Sequence, residues 1–268
     1  MIQYACVNGD IVSAKEAKIA IKDLALLRGY GVFDYFKTVN GRPVWLDDHL
    51  DRLFYSSKEM GLEPAVSREQ LIRTIQQLSV RNQISNCGTR ITITGGYSES
   101  GYSIGTPNIL ITQEVFAYDH SAFYKGIRLI TYEHQRQLSH VKSIDYLQAI
   151  RLQGEIKSRG ADDVLYYHHS GMVRECPRSN FFVVRNGEIA TPASGVLAGI
   201  TRKKILTLPG FSAIQKDFHY DELGTVDEAF ITSTSKVVLP VLEINGKMVG
   251  DGKPGKTTTA IWCRFLSC

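Results

Sequence analysis

Residues 173–184, VRECPRSNFFVV, constrain this chain more than any other stretch. Glu175 and Arg178 stand three positions apart, and apolar and β-branched residues follow at once. A carboxylate beside a buried strand is costly unless a cation or a strong donor compensates it. Glu175 therefore either pairs locally with an arginine or serves something that needs a permanent negative charge.

Size and charge narrow the context. The chain has 268 residues, 43% of them hydrophobic and 22% charged, which suits one large globular domain or two moderate ones. Its 31 basic and 27 acidic residues are well mixed, with no basic run or stripe, so no nucleic-acid partner is expected. The cysteines Cys6, Cys87, Cys176, Cys263 and Cys268 are odd in number and form no CxxC pair. They point to free thiols in a reducing, cytoplasmic setting. No apolar run is long enough to cross a bilayer and the start lacks a signal pattern, so no membrane partner is expected. The histidines show no metal-ligand spacing, and no structural metal is expected.

The periodicities predict an α+β chain in two parts. In the first, 1–116, strands fit 2–7, 10–12, 88–95 and 107–115, and RGYGVFDYFKTVNG, 28–41, reads as a glycine-marked loop entering another. Helices fit 46–60 and a segment that begins with the capping box Ser67–Gln70. Residues 117–123, within the aperiodic VFAYDHSAF, are the expected linker. The larger part, 124–268, has strands at 126–132, 162–168, 179–185 and 226–232, a helix at 143–159, and a turn feeding a helix at 195–205.

Four segments are costly without a ligand. Lys142 lies between Val141 and Ile144 at the predicted helix start, where apolar neighbours and the helix N-terminus both favour a neutral, nucleophilic amine. The plainer alternative is a surface lysine. In GITRKK, from Gly199, backbone amides and the Thr201 hydroxyl form a phosphate cup, while Arg202, Lys203 and Lys204 read as a solvated basic turn. In EAFITSTSK, a buried strand ends in hydroxyl residues from Thr232 to Ser235, suited to phosphate or carboxylate, or simply to a turn. In HLDRL, Arg52 either pairs with Asp48 on the helix surface or aims inward at a phosphate.

Together these segments resemble, in order and over essentially the whole chain, the fold type IV pyridoxal-phosphate enzymes: branched-chain aminotransferases, D-amino acid transaminases and aminodeoxychorismate lyase. The series runs RGYGVFD, HLDRL, Lys142, VRECPRSNFF, AGITRKKI, ITSTSKVVLPV and INGKMVGDGKPG. The resemblance implies a small N-terminal α/β domain, a larger domain with a β-barrel-like core, and pyridoxal 5'-phosphate as cofactor. It implies that Lys142 forms the internal aldimine and shuttles the proton, and that Glu175 binds the pyridine nitrogen. Arg52, Gly199, Ile200, Thr201 and Thr234 would hold the phosphate, with Ser233 close by. Leu197 would pack near the ring, and Tyr146 would reach the phenolic oxygen, although it follows the lysine by four residues where the branched-chain pattern has five. A homodimer whose active site is completed by the neighbouring subunit is implied as well.

Substrate choice rests on departures from the family. D-amino acid transaminases of the familiar type carry a tyrosine at Phe33, and an arginine and histidine in the loop TGGYSESGYS, where glycine stands at about Gly95. Arg178 falls where relatives carry a small residue, and a guanidinium there binds a carboxylate bidentately. Arg28 and Arg178 are the expected carboxylate clamp, with Arg90 a third candidate. The alternative is structural pairing, Arg178 with Glu175 or Asp163 and Arg28 with Asp23 or Asp34. The resulting expectation is transamination of D-amino acids, D-alanine or D-glutamate among them, with 2-oxoglutarate. The alternatives are aminodeoxychorismate lyase, an L-branched-chain aminotransferase, and a catalytically inert cofactor-binding protein.

Overall fold

Short apolar strands interleaved with amphipathic helices build two units, Met1–Ala117 with Val141–Asp145, and Tyr118–His140 with Tyr146–Cys268. The computed structural model describes residues 2–266, so Cys268 lies outside the described residues.

The first unit is a six-stranded sheet covered by two helices. Its strands are β1 (Tyr4–Val7), β2 (Asp10–Ser13), β3 (Gly31–Val39), β4 (Arg42–Pro43), β5 (Cys87–Thr94) and β6 (Ile109–Val115), in the order β2-β1-β6-β5-β3-β4. Every pairing in it is antiparallel. The short helix α1 (Leu24–Arg28) is capped by Asp23, whose other oxygen accepts from Thr94 and Asn108, and it ends at Gly29 in the left-handed region. This cap fixes where RGYG enters β3. Helix α2 (Leu46–Glu59) buries Leu50 and Leu53 and keeps Asp47 and Asp48 in its first turn, where the helix dipole favours acids. Helix α3 (Arg68–Asn82) starts with the expected capping box, Ser67 and Gln70 each satisfying the other's backbone amide. Leu71, Ile75 and Leu78 join Val32, Phe36, Ile91 and Ile93 in one core.

In the second unit the expected linker is structured instead. Helix α4 (Ser121–Lys125) begins inside it because Phe123 is buried, stacked on Trp262 at 4.0 Å. The sheet strands are β7 (Ile127–Glu133), β8 (Asp163–Tyr167), β9 (Asn180–Arg185), β10 (Glu188–Thr191), β11 (Ala213–Gln215), β12 (Glu228–Ser233), β13 (Val237–Ile244) and β14 (Lys247–Met248). They run β11-β10-β9-β12-β13-β7-β8, with β14 on β13, mixing parallel and antiparallel pairs. The helix expected over 143–159 is interrupted: only α5 (Leu147–Arg151) and α6 (Gln153–Ser158) are helical. Helices α7 (Ile200–Leu206) and α8 (Lys256–Leu266) complete the described elements that bear on the site. The apolar run of β9 is buried on both faces: Phe181 and Val183 in one core, and Phe182 and Val184, with Phe182 stacked against Phe230 of β12, in another.

Ahead of α5, Val141–Asp145 belongs to the first unit and runs extended along β3. Phe33 donates its N–H to the Lys142 carbonyl and Ile144 donates to that of Gly31, both at 3.0 Å. These sheet bonds replace helical ones.

Candidate active site

Each unit carries its own group of the expected residues. In the first, Lys142 sits on the extended strap and not at a helix start. Its amide donates to Ser56 Oγ at 3.1 Å, and the adjacent Val141 is fully buried in the core. The half-buried side chain reaches back over β3, with Nζ 4.6 Å from the centre of the Phe33 ring. The Arg90 guanidinium of β5 lies 4.1 Å from the same ring centre. Strand pairing explains this, since Phe33 faces Thr92 and Tyr35 faces Arg90 on one side of the sheet.

Asp34, the next residue along β3, points the other way. Its carboxylate takes Arg52 Nε at 2.8 Å and Arg52 Nη2 at 2.9 Å, and His49 Nδ1 at 2.7 Å. On α2, Arg52 is turned inward onto Asp34. Burial pushes the Asp34 pKa up. The Arg52 charge and the hydrogen bonds from His49 and Arg52 more than offset that, and hold it far below the usual carboxylate range. The Nε2 of His49 is buried and finds no hydrogen-bond partner among the described residues.

In the second unit Glu175 is buried, and its compensating cation is Arg136, at 2.8 Å from Oε1. Oε2 accepts from Asn180 Nδ2 at 2.9 Å and from the Leu197 amide at 3.1 Å, and Asn180 also donates to the Leu197 carbonyl. Local pairing with Arg178 does not occur. Arg178 stands exposed on the turn Cys176–Ser179, and Asp163 is engaged by Lys236 at 3.6 Å. Likewise Asp23 and Asp34 have other partners, and exposed Arg28 donates to the carbonyl of Leu27.

Gly199 caps α7 with an extended backbone, and a Cβ there would collide with Asn180 Oδ1. Ile200 and Thr201 follow, both buried. The expectation that Arg202 belongs to a solvated turn is corrected. It is buried, because α7 turns that face onto β10 and β11, and of the three basic residues only Lys203 is exposed. Ser233 and Thr234 are half-buried at the end of β12, where the Lys236 amide donates to Ser233 Oγ at 3.1 Å. This turn closes on Val237 at φ 58°, a left-handed backbone that a β-branched residue adopts only at a cost of about 1–3 kcal/mol. Tyr146 lies at the N-cap of α5.

Sequence reasoning missed Asp34, His49, Arg136 and Asn180. Asp34 and His49 carried a faint signal, an acid inside an apolar strand and a histidine on the apolar side of a helix. The first unit offers an amine on an ordered strap and an arginine locked by a buried acid, and the second offers a buried carboxylate ringed by donors and a glycine cradle; taken unit by unit, these are residue types that fit pyridoxal 5'-phosphate. The Asn180–Gly199 contact gives a direct check. Gly199→Ala is expected to displace Asn180, lower stability by about 1–3 kcal/mol, and weaken cofactor binding, as measured by thermal unfolding and cofactor titration.

Comparison with known proteins agrees. The family model for class IV amino-transferases matches residues 31–244, and the chain belongs to that family. A D-alanine aminotransferase of Staphylococcus haemolyticus is 30% identical, over 94% of this chain and 93% of its own. Another, of Staphylococcus aureus strain COL, is 31% identical over 94% of this chain and 92% of its own. A branched-chain amino acid aminotransferase of T.th., solved with pyridoxamine 5'-phosphate, superposes with a TM-score of 0.91. It is 26% identical, and the match covers all of this chain and 94% of that one. The fold is therefore that of the fold type IV aminotransferases, with pyridoxal 5'-phosphate as cofactor.

Proposed function

We propose that the protein moves amino groups between D-amino acids, D-alanine and D-glutamate among them, and 2-oxo acids such as 2-oxoglutarate. When bound, pyridoxal 5'-phosphate supplies the electron sink for charge developing at the substrate Cα. Lys142 would hold the cofactor through Nζ and would serve as the proton carrier at the substrate Cα. Glu175, paired with Arg136 at 2.8 Å, would face the ring nitrogen. Arg52, Gly199, Ile200, Thr201 and Thr234 would hold the phosphate with Ser233 beside them, while Leu197 would pack at the ring and Tyr146 would reach the phenolic oxygen.

The D configuration is supported by the likeness to the D-alanine aminotransferases at 30% and 31% identity, while the observation that carries the choice of an acidic partner is the Phe33 ring. A permanent cation, Arg90, and the amine that does the chemistry share it, at 4.1 and 4.6 Å. Arg28 and Arg178 support the same reading, since neither has a carboxylate partner among the described residues. The protein is read as a homodimer in which Arg28 enters the neighbouring subunit's site. Leu26, 66% exposed beside it, suits a covered surface. A second reading, transfer from L-branched-chain amino acids, is favoured by the likeness to the branched-chain enzyme solved with pyridoxamine 5'-phosphate.

A donor screen pairing D- and L-amino acids with 2-oxoglutarate tests this. Amino transfer from D-alanine and D-glutamate is expected; activity confined to L-leucine or L-isoleucine selects the second reading. Pyruvate released from aminodeoxychorismate without an acceptor would indicate a lyase instead. Arg90→Met is expected to raise KM for D-glutamate by roughly 10- to 100-fold, the worth of one charge-assisted hydrogen bond, with a smaller change for D-alanine.

A further inference from the structure

Two arginines are buried among the described residues, Arg174 and Arg202. Arg174 lies 3.9 Å from Asp217. Arg202 has no carboxylate within ion-pair distance among the described residues. Its Nε donates to Thr191 Oγ1 at 3.3 Å, and its Nη2 donates to the Pro192 carbonyl at 2.8 Å and to Gln215 Oε1 at 3.1 Å. Every one of these acceptors is neutral. Burial lowers its pKa, and the acid that acts against this is Glu175, which already carries Arg136. A guanidinium taken out of water without a counter-ion is costly, so a fold that keeps one offers a standing attraction to an anion.

The surroundings point to where that anion lies. Arg202 follows Thr201 directly in α7, which packs on β12. On β12, Thr232 is buried and its Oγ1 has no hydrogen-bond partner among the described residues. Thr232 stands in register with Asn180 of β9, whose amide touches Glu175 and whose oxygen closes on Gly199. An uncompensated cation and an unused hydroxyl thus flank the start of α7 from two elements.

We propose that Arg202 is the fixed counter-charge of the cofactor's phosphate, a guanidinium tied to Thr191, Pro192 and Gln215 that attracts the dianion through the fold. The proposal rests on the reading that Ile200 and Thr201 hold that phosphate. Its hydrogen bonds are directed at β10 and β11, so its effect on the phosphate is Coulombic, and strong because little water intervenes. A residue of this kind selects the phosphorylated cofactor over its unphosphorylated form while leaving ring chemistry alone.

The test compares dissociation constants for pyridoxal 5'-phosphate and pyridoxal on the full chain stripped of cofactor, in wild type, Arg202→Met and Arg202→Lys. Arg202→Met is expected to weaken pyridoxal 5'-phosphate binding about tenfold or more, with pyridoxal binding changed by less than about twofold. Arg202→Lys, which keeps the charge but not the fork, is expected to retain most of the preference for the phosphorylated form. Equal losses for both ligands in either variant would assign Arg202 a purely structural role and overturn the proposal. If Arg202→Met does not yield folded protein, a Lys variant without phosphate preference overturns it alone. A wild-type chain with no such preference would instead overturn the phosphate reading of Thr201, and this proposal with it.

Discussion

Lys142→Ala is expected to lower the rate of amino transfer roughly 10⁴-fold, the upper end of what a positioned proton-transfer group contributes. The fold is expected to survive. The strap is held by the Lys142 amide on Ser56, by its carbonyl on Phe33 and by Val141 in the core, and none of these involves the Lys142 side chain. The informative measurement joins steady-state rates to the absorption spectrum of the bound cofactor and to far-ultraviolet circular dichroism. A variant with native ellipticity, no lysine-linked cofactor band and residual turnover is the expected outcome. If wild type and variant bind cofactor alike and neither shows that band, Lys142 has no covalent role.

Asp34→Asn is expected to cost about 3–5 kcal/mol of stability at neutral pH, the range for breaking a buried ion pair by removing one partner. Arg52 then remains in an almost closed site without its counter-ion. Because the folded-state pKa of Asp34 is depressed, its contribution is complete above the unfolded value of about 3.9 and fades as pH falls through and below it. Urea titrations of wild type and variant are therefore expected to converge on acidification and to differ most at neutral pH. If Arg52 holds the phosphate as proposed, cofactor is expected to dissociate faster from the variant, since Asp34 orients that arginine. Equal stability at neutral pH would show that the Asp34–Arg52 pair contributes no net stability.

Element positions were legible wherever periodicity was regular. Leu46–Glu59 and the strand pair Cys87–Thr94 and Ile109–Val115 lie within a residue or two of their predicted limits, and Arg68–Asn82 starts at its predicted capping box. What failed was partner choice. Arg52 sits on a helix with Asp48 in reach, yet it crosses to Asp34 on β3, eighteen positions away. Local spacing cannot rank a partner brought in by tertiary packing. Glu175 finds Arg136 across 39 positions for the same reason. Val141 and Ile144 have helical spacing but serve a strap that borrows the edge of β3, so the helix expected from 143 begins only at Leu147. Arg202 was hidden by its setting in a basic triplet, where two neighbouring lysines suggest solvent and only the geometry of α7 separates the three.

The opposed directions of Phe33 and Asp34 carry a consequence for how this chain can change length. One residue of β3 serves the lysine side of the sheet and the next serves the arginine side. A single insertion or deletion between Gly31 and Phe33 would exchange those faces, taking the aromatic ring from Lys142 and the acid from Arg52 in one event. The Asn40–Gly41 turn a few residues later, with both residues at positive φ and exposed, absorbs added residues without touching either. Viable length variants of this protein are therefore expected to cluster at that turn and to be absent from the first three positions of β3.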